Sequence, residues 1–215
     1  FFVNPSAGNT LTYRIVDKEN IQSGVPRGYG LHLVNTTSSG GINTRAFRIA
    51  AYRSGNNLGN GRAQISTGNN LSAGTVYFVV ATYNGHGEIK LYVKDSSADI
   101  ITQTKNLSTG TGNILNSTSA FTIGNTSPSS ATQGYGGEID EVAIWADALT
   151  STQVDTLTAL YRDNDSVDLS TALSGSPQPK GWYKMGEGAT FSSNVWNMPN
   201  DGTDSNWDLN SSIIS

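Results

Sequence analysis

The chain has 215 residues, 13 Lys+Arg against 17 Asp+Glu for a formal net charge of −4, and only 14% charged residues where ~25% is usual for a soluble domain. Its 36% hydrophobic residues still supply a core, so disorder by composition is excluded. The absence of Cys excludes disulfides, thiolate metal sites and cysteine nucleophiles, and two His are too few for a three-histidine zinc site. No Lys/Arg cluster marks a nucleic-acid or anionic-membrane surface, and no apolar run approaches the ~18 residues of a membrane-spanning helix. Phe1 in place of an initiator Met leads us to expect a processed or partial chain.

Short alternating runs separated by Gly/Asn/Ser clusters dominate the first 146 residues. In chain order they predict strands at Leu11–Asp17, Tyr29–Asn35, Arg45–Arg53, Arg62–Ser66, Thr75–Tyr83, Glu88–Lys94, Ala120–Gly124 and Glu138–Trp145. With no helix between them, such strands read as an antiparallel sandwich. The clearest hairpin runs from Val76–Tyr83 through Asn84-Gly85, a pair tolerant of positive φ, into Ile89–Val93. Ile89, Leu91 and Val93 alternate with Lys90, Tyr92 and Lys94, which turns one face inward.

A helix is predicted over Ser151–Tyr161. Thr150 is its N-cap, Gln153 the capping-box partner, Leu149 a staple onto Val154, and Val154, Leu157, Leu160 and Tyr161 form one apolar stripe. From Arg162 the chain reads as an exposed linker through Ser174-Gly175-Ser176-Pro177-Gln178-Pro179, and Lys180–Ser215 then brings Trp182, Trp196 and Trp207 in a polar setting. That last stretch has too few apolar residues for a core of its own, so Gly181–Met185 is expected to add as a strand to a sandwich, burying Trp182 or Tyr183.

Gly136-Gly137-Glu138-Ile139-Asp140-Glu141-Val142-Ala143-Ile144-Trp145, then Ala148-Leu149-Thr150 and Leu160-Tyr161, resembles the closing signature of laminin-G-like domains, concanavalin A-like jelly rolls that include the pentraxins. Phe1–Pro5, Gly28–Leu33, Ala81–Gly85 with Leu91–Val93, and Phe121–Gly124 resemble earlier family pieces in the right order. The resemblance implies an all-β fold: an antiparallel jelly-roll β-sandwich, concanavalin A-like, with one short C-terminal helix. It divides the chain into a laminin-G-like β-sandwich over 1–161, a linker over 162–179 and a tail over 180–215. The tail, with Gly181–Gly188 and Asn200-Asp201-Gly202-Thr203, resembles the family's entry strand and is expected to pack on this or a neighbouring sandwich. Tails of this look accompany such domains in structural proteins of marine bacteriophages.

Glu138, Asp140 and Glu141 form the one carboxylate cluster with catalytic promise. Glycoside hydrolases of the resembled superfamily carry Glu-x-Asp and then a second Glu, the general acid, four or five residues after the first; here Val142 and Ala143 stand there. No catalytic residue is therefore expected. Strict alternation would put Glu138, Asp140 and Val142 on one face, whereas Ile139, Val142 and Ile144 look like core residues, which requires a bulge near Asp140–Glu141. The loop matched to the pentraxin calcium region, Asn125–Gln133, has no carboxylate. No cofactor is certain; Ca2+ remains open through Asn side chains and carbonyls, with Asp95 or Asp99 contributing. Glycans need aromatic faces flanked by hydrogen-bonding groups, which Tyr135 with Gln133 and Asn125, and the loop with Asn56 and Asn57, meet in composition. Trp145 and Trp182 read as packing residues, His32 as facing solvent or a loop, and His86 as a turn residue.

The expected function is a non-enzymatic, surface-displayed binding or decoration module, extracellular or on a virion surface. On a phage virion or fibre it would contact a glycan or a neighbouring virion protein, with a homo-oligomer as a further association. The alternatives are a secreted bacterial adhesin or lectin domain, a structural spacer, and a glycosidase-like relic. Fold by itself licenses no activity.

Overall fold

The computed structural model describes residues 2–3, 12–23, 25–37, 43–52, 62–66, 71, 74–85, 87–95, 100–106, 112–125, 133–163, 167–173, 178–185, 188, 190–192, 195–203 and 209–212. The chain forms two compact units, Phe1–Glu138 and Ile139–Ser215.

The first unit holds β1 (Phe2–Val3), β2 (Thr12–Asp17), β3 (Asn20–Gln22), β4 (Val25–Arg27), β5 (Tyr29–Thr37), β6 (Asn43–Tyr52), β7 (Arg62–Ser66), β8 (Thr75–Val76), β9 (Phe78–Tyr83), β10 (Glu88–Lys94), β11 (Ile100–Asn106) and β12 (Thr122–Ile123). They build a five-stranded sheet in the order β12-β2-β5-β6-β7, a three-stranded sheet β11-β10-β9, and the pairs β1-β8 and β3-β4. Every ladder is antiparallel. The core draws Ile15, Leu33, Phe47 and Ile49 from the larger sheet and Val79, Ile89, Leu91 and Val93 from the smaller one. Phe47 meets the Tyr77 ring edge-on, 5.9 Å between centroids. The fold is thus the antiparallel β-sandwich that the alternating runs predict.

Several boundaries differ from the sequence reading for local reasons. The run at Thr75–Tyr83 divides at Tyr77, whose ring turns onto Phe47. Asn84 N–H donates to the Glu88 carbonyl and Glu88 N–H to Asn84 Oδ1, which closes the β9–β10 hairpin, with Gly85 at φ 74°. β11 went unpredicted because Thr102, Gln103, Thr104 and Asn106 are all exposed and leave no apolar alternation. In the β2–β5 ladder the register shifts between Arg14 and Val16. Arg14 pairs with His32 and Asp17 with Gly30, so this bulge brings Arg14 and Asp17 onto one sheet face although they are three residues apart.

The second unit contains β13 (Val142–Ile144), α1 (Ser151–Asp163), β14 (Gly181–Tyr183), β15 (Thr190–Ser192), β16 (Val195–Met198) and β17 (Leu209–Ser212). The strand expected over Glu138–Trp145 is shorter because Glu141 takes φ 52°, a left-handed conformation that ends strand geometry. This replaces the expected mid-strand bulge; Val142 is buried, while Ile139 and Ile144 are half-buried. The helix runs two residues beyond the prediction. Its capping box is formed: Gln153 N–H donates to Thr150 Oγ1 at 3.3 Å and Thr150 N–H to Gln153 Oε1 at 2.8 Å. Leu149, Val154 and Leu157 are buried along its inner stripe.

The tail strand forms over Gly181–Tyr183, within the second unit. β14 pairs antiparallel with β13, Ala143 opposite Trp182, and both Trp182 and Tyr183 are buried. Residues 200–203 hold its other edge: Trp182 N–H donates to Asn200 Oδ1, Asp201 N–H to the Trp182 carbonyl, and Thr203 N–H to the Pro179 carbonyl. Gly202 permits that approach, since a Cβ there would lie 2.5 Å from the Lys180 carbonyl oxygen. β15, β16 and β17 form a separate antiparallel sheet.

Two substitutions test these assignments. Thr150→Ala should cost ~1 kcal/mol in urea unfolding, the usual loss of a helix cap. Gly202→Ala should cost ~1–3 kcal/mol by overpacking, whereas Gly136→Ala, with nothing within 4 Å of the added carbon, should be near neutral. Equal effects of the two glycine variants would refute the close-approach role.

Candidate functional site

Three groups of polar side chains stand out among the described residues. The first lies on one face of the five-stranded sheet, where Arg14, His32 and Arg48 occupy one cross-strand row of β2, β5 and β6. Arg14 Nη1 is 2.5 Å from His32 Nε2, 2.7 Å from Glu19 Oε2 and 3.2 Å from Asp17 Oδ1. Arg48 Nη2 lies 3.2 Å from His32 Nδ1 and also reaches Thr12 Oγ1. Burial pushes the Asp17 carboxyl up, partly offset by the Arg14 guanidinium and by a backbone hydrogen bond from Glu19.

The expectation that His32 faces solvent or a loop is corrected here: its exposure is 0%. Alternation with Leu31 and Leu33 predicts one wet face, but β5 is the middle strand of five and is buried on both faces. Asp17, Glu19 and His32 offer ligand atoms within 4.8 Å of one another, the geometry of a candidate cation site. The Arg14 guanidinium already stands among them and supplies the positive charge. Arg14 engages Asp17 Oδ1 and Glu19 Oε2, while Glu19 Oε1, 3.7 Å from His32 Nε2, is buried without a hydrogen-bond partner.

The second group comprises three of the five predicted binding residues. Asn125, Gln133 and Tyr135 are half-buried and lie near one another in the first unit. Tyr135 N–H donates to the Gly124 carbonyl at 2.7 Å, and Asn125 lies beside the Gly134 backbone. Arg14 N–H donates to the Gln133 carbonyl, and Gly134 bridges Arg14 in parallel, which fastens this segment to β2. Burial, with the Glu138 charge second, raises the Tyr135 hydroxyl to about 12, so the phenol is neutral at physiological pH and can both donate and accept. The Asn125 carbonyl accepts from Thr122 Oγ1 at 2.6 Å. The sequence over 125–133 carries no carboxylate. Asn56, Asn57, His86 and Asp99 lie outside the described residues.

The third group is built on Glu141 in the second unit. Its Oε2 accepts from Trp182 Nε1 at 2.5 Å and from Tyr161 Oη at 3.1 Å, so one carboxylate oxygen joins β14 to the helix end. Lys184 lies 4.4 Å from the Trp182 ring centroid, at cation–π distance, and pairs with Asp201 at 3.4 Å. Asp140 is exposed, and its Oδ1 accepts from the Glu141 N–H. Trp145 is half-buried rather than core, and its indole N–H is buried without an acceptor. Trp182 is the buried strand residue that the sequence predicts.

Burial raises the Glu141 carboxyl; the Trp182 and Tyr161 hydrogen bonds pull it back, Asp140 adds to the rise and Lys184 opposes it. The folded state therefore holds this proton more tightly than the unfolded state. The resulting stabilisation is complete below the ordinary glutamate value and is lost as pH rises through the folded value. Glu141→Gln is neutral throughout. The stability gap between the natural protein and this variant should thus be wider at pH 4 than at pH 7 in urea titrations; a constant gap would contradict the shift.

Among the described residues, the Arg14–Asp17–Glu19–Arg48 surroundings of His32 escaped sequence reasoning because a bulge and two cross-strand pairings assemble them. The available signal was weak: charged residues in two strands of a chain poor in charge. A family model described as the concanavalin A-like lectin/glucanases superfamily matches residues 1–155. No curated protein and no solved structure matches the chain.

Proposed function

The chain belongs to the concanavalin A-like lectin/glucanase superfamily, and from that premise we propose that it is a non-enzymatic glycan-binding module working through Tyr135, Gln133 and Asn125. The observation that carries this reading is the segment fastened to β2, where a neutral phenol stands with two amide side chains. Such groups recognise sugars by ring contact and paired hydrogen bonds, without charge on the ligand. A chain with only 14% charged residues suits neutral hydroxyl-rich ligands.

Support for a binding rather than hydrolytic role comes from the carboxylates. The resemblance puts a general acid where Val142 and Ala143 stand, and the nearest carboxylate, Glu141, is held by Trp182 and Tyr161. We further propose that the module is displayed outside a cell or on a phage virion or fibre, the tail's resemblance to phage structural proteins being its support. The glycan belongs to the host surface in that setting.

A glycan array with the purified chain, with and without chelator, tests the binding role. Bound glycans should lose about tenfold in affinity on Tyr135→Ala, equivalent to ~1.4 kcal/mol, in a variant that still folds. Binding unaffected by Tyr135→Ala would overturn the assigned site. Turnover of β-glucans, agarose or carrageenan that disappears on Glu138→Gln would overturn the non-enzymatic reading.

A further inference from the structure

His32 has 0% exposure and an arginine against each ring nitrogen, Arg14 at Nε2 and Arg48 at Nδ1. A neutral imidazole has one lone pair, so either tautomer accepts from one guanidinium; an imidazolium accepts from neither. The local charge points the same way. Asp17 Oδ1 and Glu19 Oε1 lie 3.8 and 3.7 Å from His32 Nε2, but both carboxylates also face the Arg14 guanidinium, so together with Arg48 these charges balance only while the ring is neutral. These are the charged groups facing His32 from β2, the turn after it and β6 among the described residues; on β5 itself its same-face neighbours, Gly30 and Val34, carry none.

A Cβ on Gly30 would collide with His32 Nε2 and would lie 3.1 Å from Asp17 Oδ1 and 3.2 Å from Glu19 Oε1, so the ring and both acids converge on bare backbone. Side chains locked in a row across three strands tie β2, β5 and β6 together on that face. We infer that His32 is the neutral centre of an acid-sensitive latch on the five-stranded sheet, which opens when the imidazole takes up a proton. Protonation removes the acceptor that an arginine uses and places a third cation between two guanidinium groups on a ring that has no exposure of its own.

The sign of the pH dependence follows. A histidine kept neutral on folding binds its proton more readily in the unfolded chain, so its contribution is complete above the ordinary histidine value of ~6.5 and is lost as pH falls below it. Asp17 and Glu141 work in the opposite sense, because both carboxyls are raised on folding, so the difference between the natural protein and His32→Gln is what reports the histidine.

Urea unfolding of the full chain across pH 7.5 to 5, with His32→Gln and His86→Gln beside the natural protein, tests the latch. The folding equilibrium constant of the natural protein should fall by up to tenfold per pH unit below ~6.5, the limit for one proton. His86→Gln should retain this slope and His32→Gln should flatten it. An equal slope in His32→Gln overturns the proposal. Should that variant fail to fold, NMR titration of the two histidine rings in the natural protein decides, with His86→Gln assigning the signals. A His32 ring still neutral at pH 6 in the folded protein supports the latch, and one already protonated there overturns it.

Discussion

Burying charge in the middle of a sheet is the constraint around which the first unit is arranged. Two unit charges 4 Å apart attract by ~4 kcal/mol at an effective dielectric of ~20, yet each loses its hydration on entering the fold. Arg14, Asp17, Glu19, His32 and Arg48 meet this constraint together: each carboxylate has a guanidinium within reach, and the ring between the arginines adds no charge of its own when neutral. Their positions follow from pairing on three strands and from one register shift in β2. A glycine at position 30 leaves the space in which ring and acids converge.

The second unit meets a similar constraint with a single anion. Glu141 adopts a left-handed backbone conformation ahead of β13, and its carboxylate receives the Trp182 indole and the Tyr161 hydroxyl. One side chain thus joins the helix end to the tail strand. Glu141 stands in the acid-rich run of the sequence, and in the fold its Oε2 accepts from two neighbouring aromatic groups. A carboxylate held this way serves cohesion: removing it would leave two donors seeking partners, at ~1–3 kcal/mol for each one left buried.

The proposed glycan-contacting segment draws on the first arrangement. Gln133 and Gly134 are held by the Arg14 backbone, and the Arg14 side chain is anchored in the charged row. Rigid support of this kind lowers the ordering cost of binding, because fewer rotamers and loop states are lost when a ligand arrives. The segment itself offers neutral amide and phenol groups, with the Glu138 charge beside Tyr135.

Local patterns sufficed for the strand-rich class, the β9–β10 hairpin and the capped helix. The alternation of Ile89, Leu91 and Val93, the Asn84-Gly85 turn and the Thr150–Gln153 box each act within a few residues, so they can be read directly in the chain. The need of Trp182 and Tyr183 for cover was legible too, from the poverty of apolar residues around them. Tertiary structure alone decided what depends on pairing between distant segments. The burial of His32 required β5 to be a central strand, the Arg14–Asp17 face required a register shift, and the role of Glu141 required a tryptophan 41 residues away. Charged residues carry no periodic signature of their partners, because attraction acts through space and a single shifted residue reverses the face on which a side chain lies.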